Sequence, residues 1–238
     1  MTAPLVAQSG LVRDQWHRYV WNGDGPLVGV TSVLKLQDVL IGGDLAAWGG
    51  RIAIERVARQ SYPDLEHAIT DGLGAVSAAR DIGTEVHAQI EKILLGQPVS
   101  PTERTAPYVY AFSAFLAAER PEFIGVEQRV ANLTYRYAGT FDFAAKLRGK
   151  LALVDVKSGK LKASHRLQLA AYAAGEFIGL EGDPTPYPIP KFRSYYVLLL
   201  KPEGYELVEM DVTAADRKHF LYLVSAYHRI RAWEKETP

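Results

Sequence analysis

The chain has 238 residues, 48% of them apolar and 23% charged, so it is long enough to bury a core and reads as globular rather than disordered. It contains no cysteine, which excludes disulfides, zinc ribbons, iron–sulfur clusters and thiol nucleophiles and leaves oxygen and imidazole to hold any metal. Formal net charge is zero, from 27 basic and 27 acidic side chains, which argues against a protein that coats nucleic acid by bulk charge. No apolar run approaches the roughly 18 residues of a membrane span, and no signal-peptide core is visible. The expectation is a soluble, cytoplasmic chain with no membrane partner.

The first 30 residues carry Gly and Trp with little periodicity and read as an irregular or partly strand-like lead-in. From Thr31 and Ser32 the pattern turns helical, with a hydroxyl cap ahead of Val33, Leu34, Leu36, Val39 and Leu40. A second helix is expected from about Asp44 through Val57, weakened by Gly49 and Gly50. A third runs from about Leu73 to Leu95, and Val76, Ile82, Val86, Ile90, Ile93 and Leu94 supply its buried side. A fourth spans Thr105 to Glu119.

After Pro121 the apolar period shifts from 3.6 toward 2. Strands are expected over Val126–Thr134, Gly139–Leu147 and Leu151–Lys157, the last two forming a hairpin about the tight Arg148-Gly149-Lys150 link. A helix from Ser164 to Phe177, a loop rich in proline (Pro184, Pro186, Pro188, Pro190), strands at Ser194–Lys201 and Tyr205–Asp211 and a helix from Ala214 to Trp233 complete the chain. This order describes one α/β or α+β domain over residues 1–238 with a mixed central sheet flanked by helices. Its parts are a mainly helical region (1–120), a sheet-containing core (121–211) and a closing helix (212–238).

The hairpin is where chemistry concentrates. If the loop is Arg148-Gly149, Asp142 lies directly opposite Asp155; if it is Gly149-Lys150, Asp142 faces Lys157 with Asp155 diagonal to it. Either register gathers all three on one sheet face, because alternate residues share a face. Opposed side chains have Cβ atoms about 4.5–5.5 Å apart, and like charges there are destabilising. Two carboxylates and an ammonium among Phe141, Phe143, Val154 and Val156 make sense around a divalent cation, since Mg²⁺ is held by one or two carboxylates plus substrate phosphate. The competing reading is an Asp–Lys pair on a solvated sheet face. Between Phe143 and Gly175 seven basic residues (Lys146, Arg148, Lys150, Lys157, Lys160, Lys162, Arg166) face one acid, Asp155. That local surface suits a phosphate backbone, or is merely solvated.

Gly139-Thr140-Phe141-Asp142, then Asp155-Val156-Lys157-Ser158-Gly159, then Gln168-Leu169-Ala170-Ala171-Tyr172 resemble the core of the PD-(D/E)XK nuclease superfamily, in its RecB-like and phage-type exonuclease branch. Upstream, Gly83-Thr84-Glu85-Val86-His87 is similar to the helix that RecB-like nucleases carry before that core. The resemblance implies a restriction-endonuclease-like core and a metal site of Asp142, Asp155, the backbone carbonyl of Val156 and His87, holding one or two Mg²⁺ or Mn²⁺ ions. It implies Lys157 as the residue that activates the attacking water, with Gln168 and Tyr172 bordering the site. Glu91, one turn beyond His87, and Glu127, on the first core strand, are further candidates. The branch that carries an iron–sulfur cluster is excluded by the missing cysteines. No GxxxxGK[ST] phosphate loop is present, so no nucleotide cofactor is expected.

The function these readings imply is metal-dependent hydrolysis of phosphodiester bonds in DNA. The first expectation is an exonuclease of phage-type recombination, repair or degradation, acting in the host cytoplasm if phage-encoded. Lys146, Arg148, Lys150, Lys160, Lys162 and Arg166 would track the strand. A homo-oligomer, or a recombination or helicase partner, would help hold the DNA. The alternatives are a structure- or site-specific endonuclease of the same fold and a non-catalytic DNA-binding recombination accessory protein.

Overall fold

The computed structural model describes residues 9–14, 18–40 and 81–236. The helix expected between Asp44 and Val57 lies outside the described residues, as does the start of the one expected from Leu73.

Three short strands occupy the region read as an irregular or partly strand-like lead-in, which settles on the second: β1 (Leu11–Arg13), β2 (Tyr19–Trp21) and β3 (Asp24–Gly29). The sheet therefore begins well before Pro121, inside the part expected to be mainly helical. α1 (Val30–Leu40) follows at once, so Thr31 and Ser32 sit in its first turn and not ahead of it. Residues 81–94 are the described part of α2. α3 (Ala106–Glu119) ends where Arg120 turns left-handed (φ 47°) and donates its N–H to the Leu116 carbonyl, with Pro121 blocking further helix.

The central strands are β4 (Glu122–Asn132), β5 (Tyr137–Leu147) and β6 (Lys150–Lys157). Between the last two, Arg148 (φ 51°) and Gly149 (φ 76°) are both left-handed, the conformation of a two-residue hairpin turn whose twist matches its strands. Leu147 pairs with Lys150 and Phe143 with Val154, which selects the first of the two expected registers. α4 (Ala163–Ala173) is shorter than expected, because Glu176 donates its N–H to the Ala131 carbonyl and Phe177 opens β7 (Phe177–Leu180) beside β4. The proline-rich segment contains β8 (Asp183–Tyr187), antiparallel to β7 at the end of the sheet, where Pro184 and Pro186 remove no central rung. β9 (Ser194–Lys201) runs parallel to β6, β10 (Gly204–Glu209) pairs with β9, and α5 (Ala214–Glu236) closes the chain.

The ten strands among the described residues form one mixed sheet covered on both faces. On one face Val33 and Leu34 of α1, Leu169 of α4 and Phe220 of α5 pack with Tyr137, Phe141, Leu153 and Val197. On the other, Val86 and Ile90 of α2 and Phe112 and Phe115 of α3 pack with Phe143, Val154, Val156 and Leu198. Each large side chain fully removed from water contributes about 1.5–3 kcal/mol, so these two layers hold the strands in place. Among the described residues no helix is long and apolar enough to cross a membrane.

One topological detail positions the site. β5 is lined along one edge by β4, but its other edge is shared: β3 pairs with Tyr137 and Ala138, and β6 with Phe143 to Leu147. The edge from Gly139 to Asp142 lies between these partners, where the sheet forks. Strict alternation also fails there. Tyr137 and Phe141 face the first core layer, whereas Phe143, Ala145 and Leu147 face the second, so the break falls at Asp142.

Candidate active site

At the fork Asp142 meets β6 side-on. Its Oδ2 accepts the Val156 N–H at 2.5 Å, so a carboxylate takes the place of a backbone rung just beyond the last paired residues, Phe143 and Val154. On β6, Leu153 packs in the first core layer and Val154 and Val156 in the second, and this alternation puts Asp155 and Lys157 on the first face, beside α4. Lys157 Nζ lies 2.6 Å from Asp155 Oδ2 and donates to the Val156 carbonyl at 3.2 Å. The first contact is close but badly angled. Asp155 Oδ2 is enclosed and accepts no hydrogen bond of good geometry.

From the opposite side α2 brings His87, whose Nδ1 is 4.0 Å from Asp142 Oδ1. Gln168 and Tyr172, one turn apart on α4, are joined by a 2.8 Å bond from Gln168 Nε2 to the Tyr172 hydroxyl. The Tyr172 ring fills the space beside Gly139. The fold thus brings together Asp142, Asp155, Val156, Lys157, His87, Gln168 and Tyr172.

Burial sets the electrostatics. Desolvation raises the Asp155 carboxyl to about 6 against the pull of Lys157, and Asp142 is raised for the same reason. Burial acts to lower Lys157, but the two carboxylates outweigh it and hold the ammonium above its ordinary value. His87 is depressed to about 4, by burial and then by the Lys157 charge, so its imidazole is neutral at physiological pH. Glu127 faces Asp142 across the β4–β5 pairing, between the rungs Val126–Phe143 and Gln128–Phe141, in a left-handed conformation (φ 48°). Burial, then Asp142 and Glu91, push it up to about 8.

An open cleft of about 720 Å³ reaches this cluster at His87 and Lys157, and Glu91, Arg13, Lys160, Lys162 and His165 also line it. The expected basic surface is split. Lys160 and Lys162 line the cleft, whereas Lys146, Arg148 and Lys150 sit at the hairpin tip, ~23 Å away along β6 at about 3.3 Å per residue. Arg148 is engaged there by Glu119 through two bonds of 2.6 and 2.9 Å, and Lys146 lies 3.7 Å from Glu122. Arg166 is turned to Asp216 at 3.0 Å. A single strand-tracking run from Lys146 to Arg166 does not form. Conversely, Arg13 and His165 reach the cleft without any motif to announce them: Arg13 arrives through the β1–β2–β3 branch, and His165 lies one helical turn before Gln168.

Among the described residues no three His, Asp or Glu side chains converge as a ready cation cage. What is present is two carboxylates, a neighbouring carbonyl and a neutral imidazole, with one carboxylate oxygen buried and without a good hydrogen-bond donor. Hard oxygen donors with a single imidazole suit Mg²⁺ or Mn²⁺, which complete their shells with water and substrate oxygens.

No family model matches the sequence, and no curated protein matches it. Among solved structures the chain is similar to the crystal structure of SSO0001, with a TM-score of 0.36 and 13% identity over 85% of this chain and 75% of that one. At that TM-score the likeness carries no weight for fold family or chemistry.

Proposed function

We propose that this chain is a divalent-metal-dependent deoxyribonuclease with a restriction-endonuclease-like core of the PD-(D/E)XK type. The observation that carries the reading is the meeting of Asp142, Asp155 and Lys157 at the fork of β5 and β6, beneath a cleft that Lys157 and His87 line and that has a cationic wall. Like-charged, desolvated carboxylates at one point cost stability unless something positive is bound between them.

Asp142, Asp155 and the Val156 carbonyl, with His87, would hold Mg²⁺ or Mn²⁺. Such a cation, when bound, supplies Lewis acidity toward a phosphoryl oxygen and acidifies water. Lys157, held charged by its two carboxylates, neutralises negative charge as it builds on the phosphate, and is better suited to that than to removing a proton. Neutral His87 offers a nitrogen lone pair. Gln168 fixes the Tyr172 hydroxyl, and together they wall the site beneath Gly139. Lys160 and Lys162 attract the backbone of the strand.

An exonuclease of recombination, repair or degradation, assisted by a second copy or a helicase or recombination partner in the cytoplasm, is the biological setting proposed. The test is digestion of end-labelled linear DNA with Mg²⁺ or Mn²⁺, beside closed circular DNA and an EDTA control. Metal-dependent loss of the linear substrate with the circle spared supports the exonuclease, and cutting of the circle supports an endonuclease of the same core. If Lys157→Ala digests DNA as fast as the parent, the assignment is wrong; DNA binding without cleavage in either metal supports the accessory binder instead.

A further inference from the structure

His165 stands at the entrance of α4 with more than nine-tenths of its surface buried, yet it lines the cleft. Its Nδ1 accepts the Lys162 N–H at 3.2 Å, while the His165 N–H donates to the Lys162 carbonyl at 3.1 Å. This is a reciprocal cap in which imidazole takes the place usually held by Glu or Gln. The cap fixes the tautomer. A protonated Nδ1 would oppose one donor with another, so the ring proton resides on Nε2.

That Nε2–H has no partner among the described residues. The charged side chains that line the cleft from β6 to the start of α4 are Lys157, Lys160 and Lys162, which are donors as well, with the Ser158 hydroxyl beside them. The two lysines that lower the ring to about 4, after burial, also keep it neutral in the working range. A buried donor among cations, with its second nitrogen already committed, is matched by an anionic acceptor. Glu91 and His87 belong to the α2 side of the cleft.

We propose that the His165 Nε2–H donates a hydrogen bond to a phosphate oxygen of the bound strand, making His165 a substrate-binding residue beside Lys157. This rests on the reading of the cleft as a nuclease site. Two measurements test it, both with a short single-stranded oligodeoxynucleotide and with Ca²⁺ replacing Mg²⁺ so that binding is scored without cleavage. In the parent protein, the imidazole NMR signals of His165 should report the Nε2-protonated tautomer, and the Nε2–H resonance should move on saturation with the oligonucleotide. In His165→Asn, the Asn oxygen falls near the position of Nδ1 and keeps the cap, but no donor remains at Nε2. Binding should weaken by ~3–10-fold, as for loss of one hydrogen bond, with the thermal midpoint unchanged. A resonance that stays fixed at saturation, or a folded His165→Asn that binds as tightly as the parent, overturns the proposal. Should the variant fail to fold, the parent's resonance alone decides. Cleavage in Mg²⁺ is assayed separately: binding through His165 without cleavage sinks the hydrolase reading and keeps this one, and cleavage with an unmoved His165 signal does the reverse.

Discussion

Asp142 Oδ2 holds the Val156 N–H at 2.5 Å, and through this bond two strands that have stopped pairing remain tied at the candidate site. The carboxylate therefore has a structural duty and, in the proposed function, a chemical one, and the two are separable. Asp142→Asn keeps an oxygen for the Val156 N–H but removes the charge. Hydrolysis should fall at least ~100-fold, in the range of lost charge stabilisation. Thermal stability should stay level or rise, since burial already disfavours the ionised Asp142. Asp142→Ala removes the acceptor too and should cost a further ~1–3 kcal/mol in denaturant unfolding. Equal stability of the two variants would show that the bond to Val156 does not tie the fork.

Under the proposed nuclease reading, the division of the basic residues predicts which of them touch DNA. Removing Lys160 and Lys162 together should weaken binding and reduce the slope of log affinity against log salt by ~1.4–1.8, the share of two phosphate contacts. Arg148→Ala with Lys150→Ala should leave the slope unchanged, because Arg148 is held by Glu119 at the far end of the hairpin. A fluorescence-anisotropy titration at several salt concentrations measures both. The idea of a localised cationic wall fails if the hairpin-tip pair changes the slope as much as the cleft pair.

Much of this site was legible in the sequence because it depends on local counting. The short hairpin link narrows the register to two, of which the left-handed pair Arg148-Gly149 selects one, and the step of two from Asp155 to Lys157 fixes their shared face in both. The four-residue step from Gln168 to Tyr172 fixes a helix flank in the same way. What escaped depends on long-range pairing. Pro184 and Pro186 signal a loop unless the strand lies at the sheet's end, which only its pairing with β7 reveals. Arg13 reaches the cleft because β3 joins β5 more than a hundred residues downstream, and no period within residues 9–29 encodes that contact. The basic run looked continuous because sequence distance was read as surface distance, whereas an extended strand carries Lys150 and Lys157 to opposite ends.

Glu127 gives a pH signature with an unusual sign. Its folded-state pKa is raised from 4.5 to about 8, by burial and then by Asp142 and Glu91, so the folded protein binds a proton more tightly than the unfolded chain. The stabilisation is fully present below about pH 4.5 and is lost as pH rises through 8. Glu127→Gln, which mimics the neutral acid, should match the parent near pH 4.5 and exceed it by at least ~1 kcal/mol at pH 9 in urea unfolding without divalent metal. Parallel stability curves for parent and variant across that range would sink the assignment.

Gly139 sits where β5, α1 and α4 converge, and its missing side chain is what lets the Tyr172 ring lie against the strand. A Cβ there would come within 2.8 Å of Tyr172 Cε1 and 2.9 Å of Val30 Cγ2. Both neighbours are buried, so neither can swing into solvent. The backbone itself tolerates alanine, since Gly139 is not among the left-handed glycines. The effect of Gly139→Ala is therefore overpacking, about 1–3 kcal/mol, or roughly 2–12 °C in thermal midpoint for a chain of this size. Because Tyr172 is tied to Gln168, a ring pushed off the strand carries its hydroxyl with it and stretches the 2.8 Å bond. Gly139→Ala should accordingly lose hydrolysis at temperatures where it remains folded. Adding Val30→Ala relieves one of the two close contacts and should recover part of the stability, but not the activity, because the contact with Tyr172 persists. If the single variant melts with the parent and cleaves at the parent's rate, the close fit of Tyr172 against Gly139 is not a constraint on the site.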